Sequence, residues 1–508
     1  MRGGSRFGTG MNMFMSVHRQ TLEADHATRA RERARAMQEA MRRAKPSDDL
    51  GNSRLADDDD IAASGLFGND GIFLGGLNGR LLFFDGDGPL MTFARTGAGK
   101  GRDLILPNLA HLRGRSLVVV DVKDGENYHA SHDYRAYELR EKCIVLNPYN
   151  LRGIANTKIN PLQLLVDIVA AGGKIDSESN QIAQILLPPP AKQGSDSWAR
   201  LGALRLLATR MEYLAHFGEC TLGNLWRFVN SSADDMALDF SMMTECGIES
   251  IARKAAALNS TRLDSEKQWA AYQSECCEAL NAFEPDKSLA NATSAHEFDF
   301  GRLKHEPHTV YLILPSDKLG TGGPWISLII NYAIEAIAKE VGPVRTTFIL
   351  DEFAQLPPIG SVLKALRLYR GKGIQLWMFS QGRFSLRERW PEAAAKEFED
   401  QAAVVTMRSI SERDVIRDVE LWSGNMTILK RGVSHNGGTV ETAAANLGES
   451  KRTVLQSEDI LGLGLTKQII KVATMPRLIV ADCIPFYAVD PWKHRIKDVR
   501  DLHRGFAK

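Results

Sequence analysis

The chain contains 508 residues, and its 63 lysines and arginines nearly balance its 62 aspartates and glutamates, which leaves a formal net charge of +1. At about 150 residues per domain, this length allows two to four domains. A balanced charge gives no overall electrostatic argument for nucleic-acid binding, so any such site has to be local. No run approaches the ~18 consecutive apolar residues of a membrane-spanning helix, and the N-terminus lacks the apolar core of a signal peptide.

The six cysteines indicate a reducing compartment. They include no CxxC pair, and no cluster of cysteine and histidine has the spacing of a zinc site. Cys276 and Cys277 are adjacent, and we interpret them as two residues of a helix rather than as a redox pair. The sequence therefore predicts a cytosolic protein with free thiols.

Residues 1–60 differ in composition from the rest of the chain. Residues 27–45 are rich in arginine and in good helix formers, which predicts a solvated basic helix, and the acidic run 57–60 follows it. The simpler interpretation is a mobile leader whose charges cancel. The alternative is a basic arm that binds DNA, an anionic membrane surface or a partner protein.

From residue 65 onward the chain has the pattern of a folded domain. Residues 71–88 alternate apolar runs with Gly, Asn and Asp, which predicts a β-hairpin. The next segments predict a strand at 90–94, a Gly-rich loop, a helix at 102–112, and strands at 116–122 and 143–148. Strand, loop, helix and strand in this order form a βαβ unit, so we expect a parallel sheet.

The middle of the chain changes to helical periodicity. Between residues 175 and 300 several Ala- and Leu-rich helices follow one another, and the first places Leu201, Leu204, Leu207, Met211 and Leu214 on one face. This region predicts an all-α domain inserted into the α/β domain. Further strands are predicted at 309–315, 346–352, 374–380, 403–407 and 477–483. Residues 424–453 are rich in Gly, Ser, Asn and Thr, which predicts a long flexible loop.

The Gly-rich loop ARTGAGKG, residues 94–101, carries the strongest chemical signal. Small residues let backbone N–H groups converge on phosphate oxygens, a lysine reaches the outer phosphates, and a helix N-terminus lies behind the loop. The loop departs from GxxxxGK[ST], since Ala94 replaces the first glycine and Gly101 replaces the hydroxyl residue that binds Mg²⁺. An ordinary Gly-rich turn is the alternative. The strand before it and the helix after it favour nucleotide binding, with these candidate residues: Thr96, Gly97, Ala98, Gly99, Lys100 and Gly101.

A second signal lies at the end of the predicted strand 346–352. Asp351 and Glu352 follow an apolar run, and the C-terminal edge of a parallel sheet is where α/β proteins bind ligands. One carboxylate can bind Mg²⁺ through water, and its neighbour can orient the attacking water. A lone pair of solvated acids is common at strand ends. The loop at 94–101 makes the functional interpretation the stronger one.

Two polar residues complete the candidate site. Gln381 ends the apolar strand 374–380, where it could contact a γ-phosphate, and Arg370 could reach the nucleotide of a neighbouring subunit. Taken alone, each residue is better explained by a structural role, Gln381 as a strand cap and Arg370 as a surface charge. Arg367 and Arg383 are rival candidates for this arginine.

The order of these motifs resembles type IV secretion coupling proteins, the conjugative TraG/TraD-like ATPases. Their phosphate loop typically reads APTRSGKG, and the loop here shares its first Ala, its Thr and its GKG ending, so both departures are those of the family. The segment VVVDVKDGENY resembles the family's DxKGEN stretch, with Asp124 apparently inserted. The resemblance also includes INPL, TVYLILPSDKL, ILDEFAQL and RGKGIQLW followed by SQ, and it spans about residues 65–495.

The resemblance implies an α/β fold with a RecA-like P-loop core and an inserted all-α domain, in a ring that is commonly a hexamer. It implies ATP and Mg²⁺ as ligands, with Lys100 on the phosphates, Asp351 on Mg²⁺, Glu352 on the lytic water, Gln381 as γ-phosphate sensor and Arg370 as a finger in trans. The expected domains are a charged leader (1–60), the RecA-like domain (61–174 and 301–508) and the all-α domain (175–300).

The family also implies partners and a cellular site. The protein would deliver DNA, single- or double-stranded, with an attached relaxase or effector protein, to a type IV secretion channel, and the all-α domain would recruit the substrate. Most members begin with transmembrane helices and this chain shows none, so we expect bacterial cytoplasm with recruitment to the inner membrane. A naturally soluble branch, an anchor supplied by a partner, or truncation would each explain this departure.

Two other functions stay open on sequence alone. A cytoplasmic double-strand DNA translocase would have a physically similar core, and the missing anchor favours it. A substrate receptor that binds nucleotide without turnover is suggested by the missing hydroxyl at Gly101.

Overall fold

The computed structural model describes residues 44–189, 197–217, 219–435 and 443–499, together with scattered positions between 18 and 43. The chain forms two compact units. One comprises Ala56–Ile416 and Ile460–Lys508, and the other comprises Met1–Leu55 and Arg417–Asp459. The domain boundaries given above stay a prediction.

The larger unit is built on one sheet of 11 strands. The strands are β1 (Ile72–Leu77), β2 (Arg80–Phe84), β3 (Leu90–Ala94), β4 (Ser116–Asp121), β5 (Lys142–Leu146), β6 (His308–Ile313), β7 (Thr346–Leu350), β8 (Ile374–Ser380), β9 (Val404–Arg408), β12 (Lys467–Val472) and β13 (Ile479–Asp482). Their order in the sheet is β2-β1-β13-β12-β9-β3-β8-β7-β4-β6-β5. Strands β3 to β9 run parallel to one another, whereas β12, β13, β1 and β2 add an antiparallel edge. The predicted parallel sheet is confirmed.

Helices connect these strands. They are α1 (Asp58–Ser64), α2 (Leu106–His111), α3 (Glu126–Asp133), α4 (Gln163–Ala170), α5 (Asp176–Leu186), α6 (Ser197–His216), α7 (Leu222–Val229), α8 (Ala233–Thr244), α9 (Glu249–Asp264), α10 (Glu266–Leu280), α11 (Ser288–Ala292), α12 (Leu319–Lys339), α13 (Gly360–Leu368), α14 (Arg383–Arg389), α15 (Glu392–Asp400), α16 (Arg413–Ser423), α17 (Ser457–Gly462) and α18 (Asp490–Arg495). Among the described residues, no helix combines the length and apolar character that a bilayer crossing requires.

The central strands are buried on both faces. All residues of β3, β4, β7 and β8 are buried, which explains their near-continuous apolar sequences, since helices cover both faces of a parallel sheet. Three polar side chains cross the middle of this core. Thr92 Oγ1 lies 2.7 Å from Thr406 Oγ1 and accepts a hydrogen bond of 2.9 Å from Trp377 Nε1. These contacts join β3 to both of its neighbours immediately before the Gly-rich loop.

Helices α4 to α11 account for the described secondary structure between Gln163 and Ala292 apart from one short 3₁₀ turn. In α6, four of the five residues predicted on the buried face are buried. Leu201 is 51% exposed, so the buried part of that face begins at Leu204. Leu201 lies in the first turns of a long helix whose later residues make most of the buried contacts.

Two predictions about the C-terminal third were wrong or incomplete. The predicted flexible loop 424–453 instead contains strands β10 (Asn425–His435) and β11 (Ala443–Thr453), which pair antiparallel along 11 residues each. Its polar composition suggested a loop, but residue pairing across a hairpin does not require an apolar pattern. Strand β12 was not predicted, because its sequence KQIIKV is short and follows a Gly-rich stretch.

The N-terminal segment contributes ordered structure on both sides of residue 56. In the smaller unit, Ser47 donates hydrogen bonds of 2.6 Å to the Glu449 carboxylate from its backbone N and from its hydroxyl. In the larger unit, Asp57 and Asp60 form a reciprocal capping box at the start of α1, with both hydrogen bonds at 3.1 Å. The acidic run therefore matches the positive end of a helix. Much of the predicted basic helix 27–45 lies outside the described residues, and its described positions up to residue 43 are helical.

We expect Thr92→Val to lower the free energy of unfolding by about 1–3 kcal/mol, because it leaves the buried Trp377 N–H without an acceptor. Urea unfolding followed by tryptophan fluorescence measures this change. Thr92→Ser is the matched control, since it keeps the hydroxyl and should lose less stability than the valine variant. Equal losses in both variants would contradict the role assigned to the hydrogen bonds.

Candidate active site

Four neighbouring parallel strands present chemically active residues at one edge of the sheet. The Gly-rich loop follows β3, Gln381 follows β8, the pair Asp351–Glu352 follows β7, and Lys123 lies just beyond β4. Because parallel strands end at the same edge, these residues meet although more than 200 residues separate them in sequence. The candidate residues Lys100, Asp351, Glu352 and Gln381 are therefore brought together.

The loop has the backbone geometry of a phosphate cradle. Gly97 and Gly99 both have a φ of 79°, in the left-handed region that favours glycine. A Cβ at Gly99 would approach a carboxylate oxygen of Asp103 to 2.6 Å, whereas a Cβ at Gly101 would meet no atom within 4 Å. The loop thus has room for the hydroxyl that its sequence lacks. The helix behind it begins with one π-helical turn, Gly101–Ile105, and continues as α2.

Lys100 is the centre of the site. Its Nζ lies 2.9 Å from Asp351 Oδ1 and also contacts the Glu352 carboxylate, and the Lys100 and Asp351 side chains are only 6% and 1% exposed. Lys123 Nζ lies 3.2 Å from the other carboxylate oxygen of Asp351. Two ammonium groups therefore share one buried carboxylate, and phosphate oxygens would compete with it for both lysines.

The charges in this cluster stabilise one another. Burial alone would lower the pKa of Lys100, but the carboxylates of Asp351 and Glu352 outweigh burial and raise that pKa above its ordinary value of 10.5. Burial alone would raise the pKa of Asp351, but Lys100 and Lys123 outweigh burial and hold that pKa below 3.8. Both groups are charged at neutral pH, as phosphate and metal binding require.

Glu352 is oriented by its backbone and by Gln381. Its φ of 53° is in the left-handed region, a costly conformation for a residue other than glycine and one that recurs at functional sites. Gln381 Nε2 donates a hydrogen bond of 3.2 Å to Glu352 Oε2. The side chain of Glu352, at 14% exposure, is more accessible than that of Asp351, so the two neighbouring acids occupy different environments.

These groups open into a cavity of about 960 Å³. The loop residues, Lys123, Asp351 and Glu352 line one part of it, and residues from the end of the described chain line another. Carboxylate oxygens beside a cavity fit Mg²⁺, which commonly binds one or two carboxylates while the remaining positions are filled by water and phosphate.

Comparison with known proteins identifies the family. The family model described as "Type IV secretory system Conjugative DNA transfer" matches residues 43–498. The chain belongs to this family. The family resemblance inferred from the motifs is thereby confirmed. Among the curated proteins compared with the chain, none matches it.

Solved structures of a coupling protein share the fold of this conjugative DNA transfer protein. TrwBdeltaN70 in a trigonal form with sulphate has 17% identity and a TM-score of 0.63, over 87% of this chain and 95% of that one. TrwB with the GTP analogue GDPNP has 15% identity and a TM-score of 0.60, over 85% and 93%. TrwB with ADP and Mg²⁺ has 15% identity and a TM-score of 0.59, over 85% and 93%. The predicted P-loop fold class is confirmed.

Three site residues of this family member were missed by sequence reasoning. Arg408 ends β9, beside Ala94 of β3, and its guanidinium donates 3.2 Å to the Gly99 carbonyl and pairs with Asp103. It therefore fixes the loop from the neighbouring strand. Lys123 and Asp121 lie in a segment whose motif was noticed but not assigned a role. Lys123 and Arg408 each come directly after a predicted strand, and that position was the available signal.

The pKa of Asp121 is shifted in the opposite direction from that of Asp351. It is fully buried at the end of β4, accepts 2.9 Å from the Tyr128 backbone N–H through one oxygen, and its other oxygen makes no hydrogen bond with a described residue. Burial raises the pKa of Asp121 to about 7. Part of its population is therefore neutral at physiological pH.

Arg370 lies at the opposite edge of the sheet. It opens a 3₁₀ turn, Arg370–Lys372, immediately before β8, whose seven residues span about 23 Å before Gln381. It is exposed and forms no ion pair with any residue that the structure describes. The rivals are engaged: Arg367 pairs with Glu397, and Arg383 is buried and pairs with Glu399. The structure therefore does not bring Arg370 to the site of its own chain.

The pairing of Asp351 with two lysines predicts a defined acid-side loss of stability. Because its folded pKa lies below 3.8, ionised Asp351 stabilises the fold fully above that value, and this contribution disappears as pH falls through the folded pKa. Without added nucleotide, wild type should exceed Asp351→Asn in unfolding free energy by a constant amount from pH 7 to about pH 4. The difference should shrink below that range. Urea unfolding at a series of pH values measures it, and a difference that grows towards low pH would contradict the assignment.

Proposed function

We propose that this protein is an ATP-driven coupling protein that recruits DNA, with an attached relaxase or effector protein, and helps to translocate it to a type IV secretion channel. The observation that supports the proposal most directly is the meeting of Lys100, Asp351, Glu352 and Gln381 at the edge of four adjacent strands. Family membership favours conjugative coupling over the other translocase class. Solved structures of TrwB with nucleotide analogues, which have 15% sequence identity to this chain, share its fold.

Phosphate binding follows from the loop. Residues 96–101 form the cradle that the left-handed Gly97 and Gly99 allow, and the helix beginning at Gly101 adds its positive end. Lys100 would exchange part of its contact with the two carboxylates for the β- and γ-phosphates. Arg408 would keep the loop in register with β9 during that exchange, because it bonds the Gly99 carbonyl rather than the ligand side of the loop.

Asp351 is the residue best suited to magnesium, through water, since it is an ionised carboxylate at the strand end. Bound Mg²⁺ would neutralise charge on the β- and γ-phosphates. The loop offers no hydroxyl at Gly101, so the carboxylate carries more of the protein's share of the binding. Lys123, on the second oxygen of Asp351, fixes the orientation of that carboxylate.

Hydrolysis would depend on Glu352. Its carboxylate, positioned by its own backbone and by Gln381, can accept a hydrogen bond from water and orient it towards the γ-phosphate. Gln381 can exchange its bond to Glu352 for one to the γ-phosphate, which would couple phosphate occupancy to the position of the acid.

A ring of subunits, expected to be a hexamer, would bring Arg370 to the site of a neighbour. Arg370 is available for this role because its turn is exposed at the opposite edge of the sheet. The buried side chain of Lys304, which is 4% exposed, stabilises the turn by donating a hydrogen bond of 2.8 Å to the Lys372 carbonyl.

The helical region at 175–300 would recruit the DNA-bound substrate. The protein would act in the bacterial cytoplasm at the inner membrane.

We expect Lys100→Ala to abolish ATP binding and turnover, and Glu352→Gln to keep ATP binding while lowering kcat at least ~100-fold, because only the acid acts on the attacking water. Phosphate release with and without DNA, together with ATP affinity by calorimetry, measures both effects. Wild type should turn over faster with DNA.

The matched control is Lys142→Ala, which removes an exposed lysine paired with Glu306 at the start of β5, at the edge of the sheet opposite the site, and should leave turnover unchanged. Wild-type turnover in Glu352→Gln would exclude the proposed mechanism. Tight ATP binding by wild type without any turnover would favour the receptor function instead.

The proposed action of Arg370 on the site of a neighbouring subunit is tested by mixing two inactive variants. Arg370→Ala alone should lose about 1,000-fold or more in kcat, as loss of an arginine finger does. Mixing it with Glu352→Gln should restore activity, because the second variant supplies an intact Arg370 to sites that keep Glu352. Arg367→Ala is the control and should keep most of the activity. Failure of every mixing ratio to restore turnover would rule out action in trans.

A further inference from the structure

The cavity described above contains surfaces that phosphate chemistry does not use. Beyond the loop, the lysines and the acids, it is lined by Phe486, Tyr487, Ile496 and Val499. Tyr487 is 54% exposed although it is large and aromatic, and its ring lies 5.4 Å from that of Phe486 in an edge-on arrangement. An exposed aromatic face beside a phosphate cradle has no structural role in the packing of the core.

The opposite wall belongs to the helix that follows the loop. Arg102 and Leu106 are four residues apart on that helix and both line the cavity. A ligand whose phosphates bind the loop has room to extend between this helix and the C-terminal segment. We infer that Tyr487, with Ile496 and Val499, forms the nucleobase subsite of the cavity, in which the base of a nucleoside triphosphate stacks on the Tyr487 ring. This inference rests on the proposed nucleotide-binding function.

The C-terminal wall is fixed in place before any ligand arrives. Trp492 is 2% exposed and packs edge-on against Phe73, with ring centroids 4.7 Å apart. The backbone N–H of Lys497 donates 2.9 Å to the Ala130 carbonyl, and its ammonium pairs with Asp133. The base would therefore meet a preformed surface, which lowers the entropic cost of binding.

The side chains of this wall fit a nucleobase. A wall that contains an exposed aromatic ring and aliphatic side chains suits a flat, weakly polar group, whereas the loop in the same cavity suits polyanions. A nucleoside triphosphate carries both groups in one molecule. Base stacking on an aromatic side chain tolerates different bases, because each base has a π-face.

The test compares two probes that share phosphates but not a base: ATP and inorganic triphosphate. Tyr487→Ala should weaken ATP binding about tenfold, the usual loss on removing one stacking partner. The same variant should leave triphosphate affinity unchanged. Tyr487→Phe should keep ATP affinity near wild type. Tyr137→Ala removes another exposed tyrosine, which does not line the cavity, and it should change neither affinity.

Each outcome of these titrations is decisive. Unchanged ATP affinity in Tyr487→Ala, or an equal loss for both probes, would overturn the base subsite and leave phosphate binding intact. Equal affinity of the wild-type protein for triphosphate and for ATP would also overturn the base subsite. Failure of wild type to bind either probe would overturn the proposed function together with this inference. Unchanged triphosphate binding also shows that the variant is folded.

Discussion

The contact between Lys100 and the carboxylates of Asp351 and Glu352 is the interaction on which the site depends. It joins the loop after β3 to the end of β7, two strands away, in an environment where an unpaired charge would be costly. A buried ion pair of this kind contributes little net stability, since desolvation offsets most of the attraction. The ion pair instead contributes structural specificity, because Lys100 and the two carboxylates compensate one another's charge only when the loop and the end of β7 are correctly placed.

The rest of the sheet fixes that position from both sides. Arg408 ties the loop to β9, and Lys123 ties Asp351 to the segment after β4, so the phosphate loop and the acids each have a second support. Thr92 and Trp377 align β3 with its neighbours just below the loop. The proposed catalytic residues therefore lie at the ends of buried strands, and in the proposed mechanism Lys100 and Gln381 are the side chains that exchange partners.

Sequence reasoning recovered the parts of this arrangement that are local. The loop, Asp351–Glu352 and Gln381 each follow an apolar strand, and a strand-end position is visible in one segment at a time. The order of strands is not local, so the sequence could not show that Arg408 lies beside Ala94 or that Lys123 contacts Asp351. The hairpin of β10 and β11 was not predicted for another reason. Its polar composition resembles that of a loop, and its strand pairing connects residues up to 28 positions apart.

The cavity has a consequence for how the protein matures. One wall is made by residues 96–106 and another by residues 486–499, so about 380 residues of chain separate the two sides. Domains of a growing chain fold as their residues emerge from the ribosome. The loop and the strands beside it can form once residue 408 has emerged, whereas the wall anchored by Trp492 forms only after residues 486–499 have emerged. The nascent protein therefore cannot complete this cavity until residues 486–499 have packed against the rest of the larger unit.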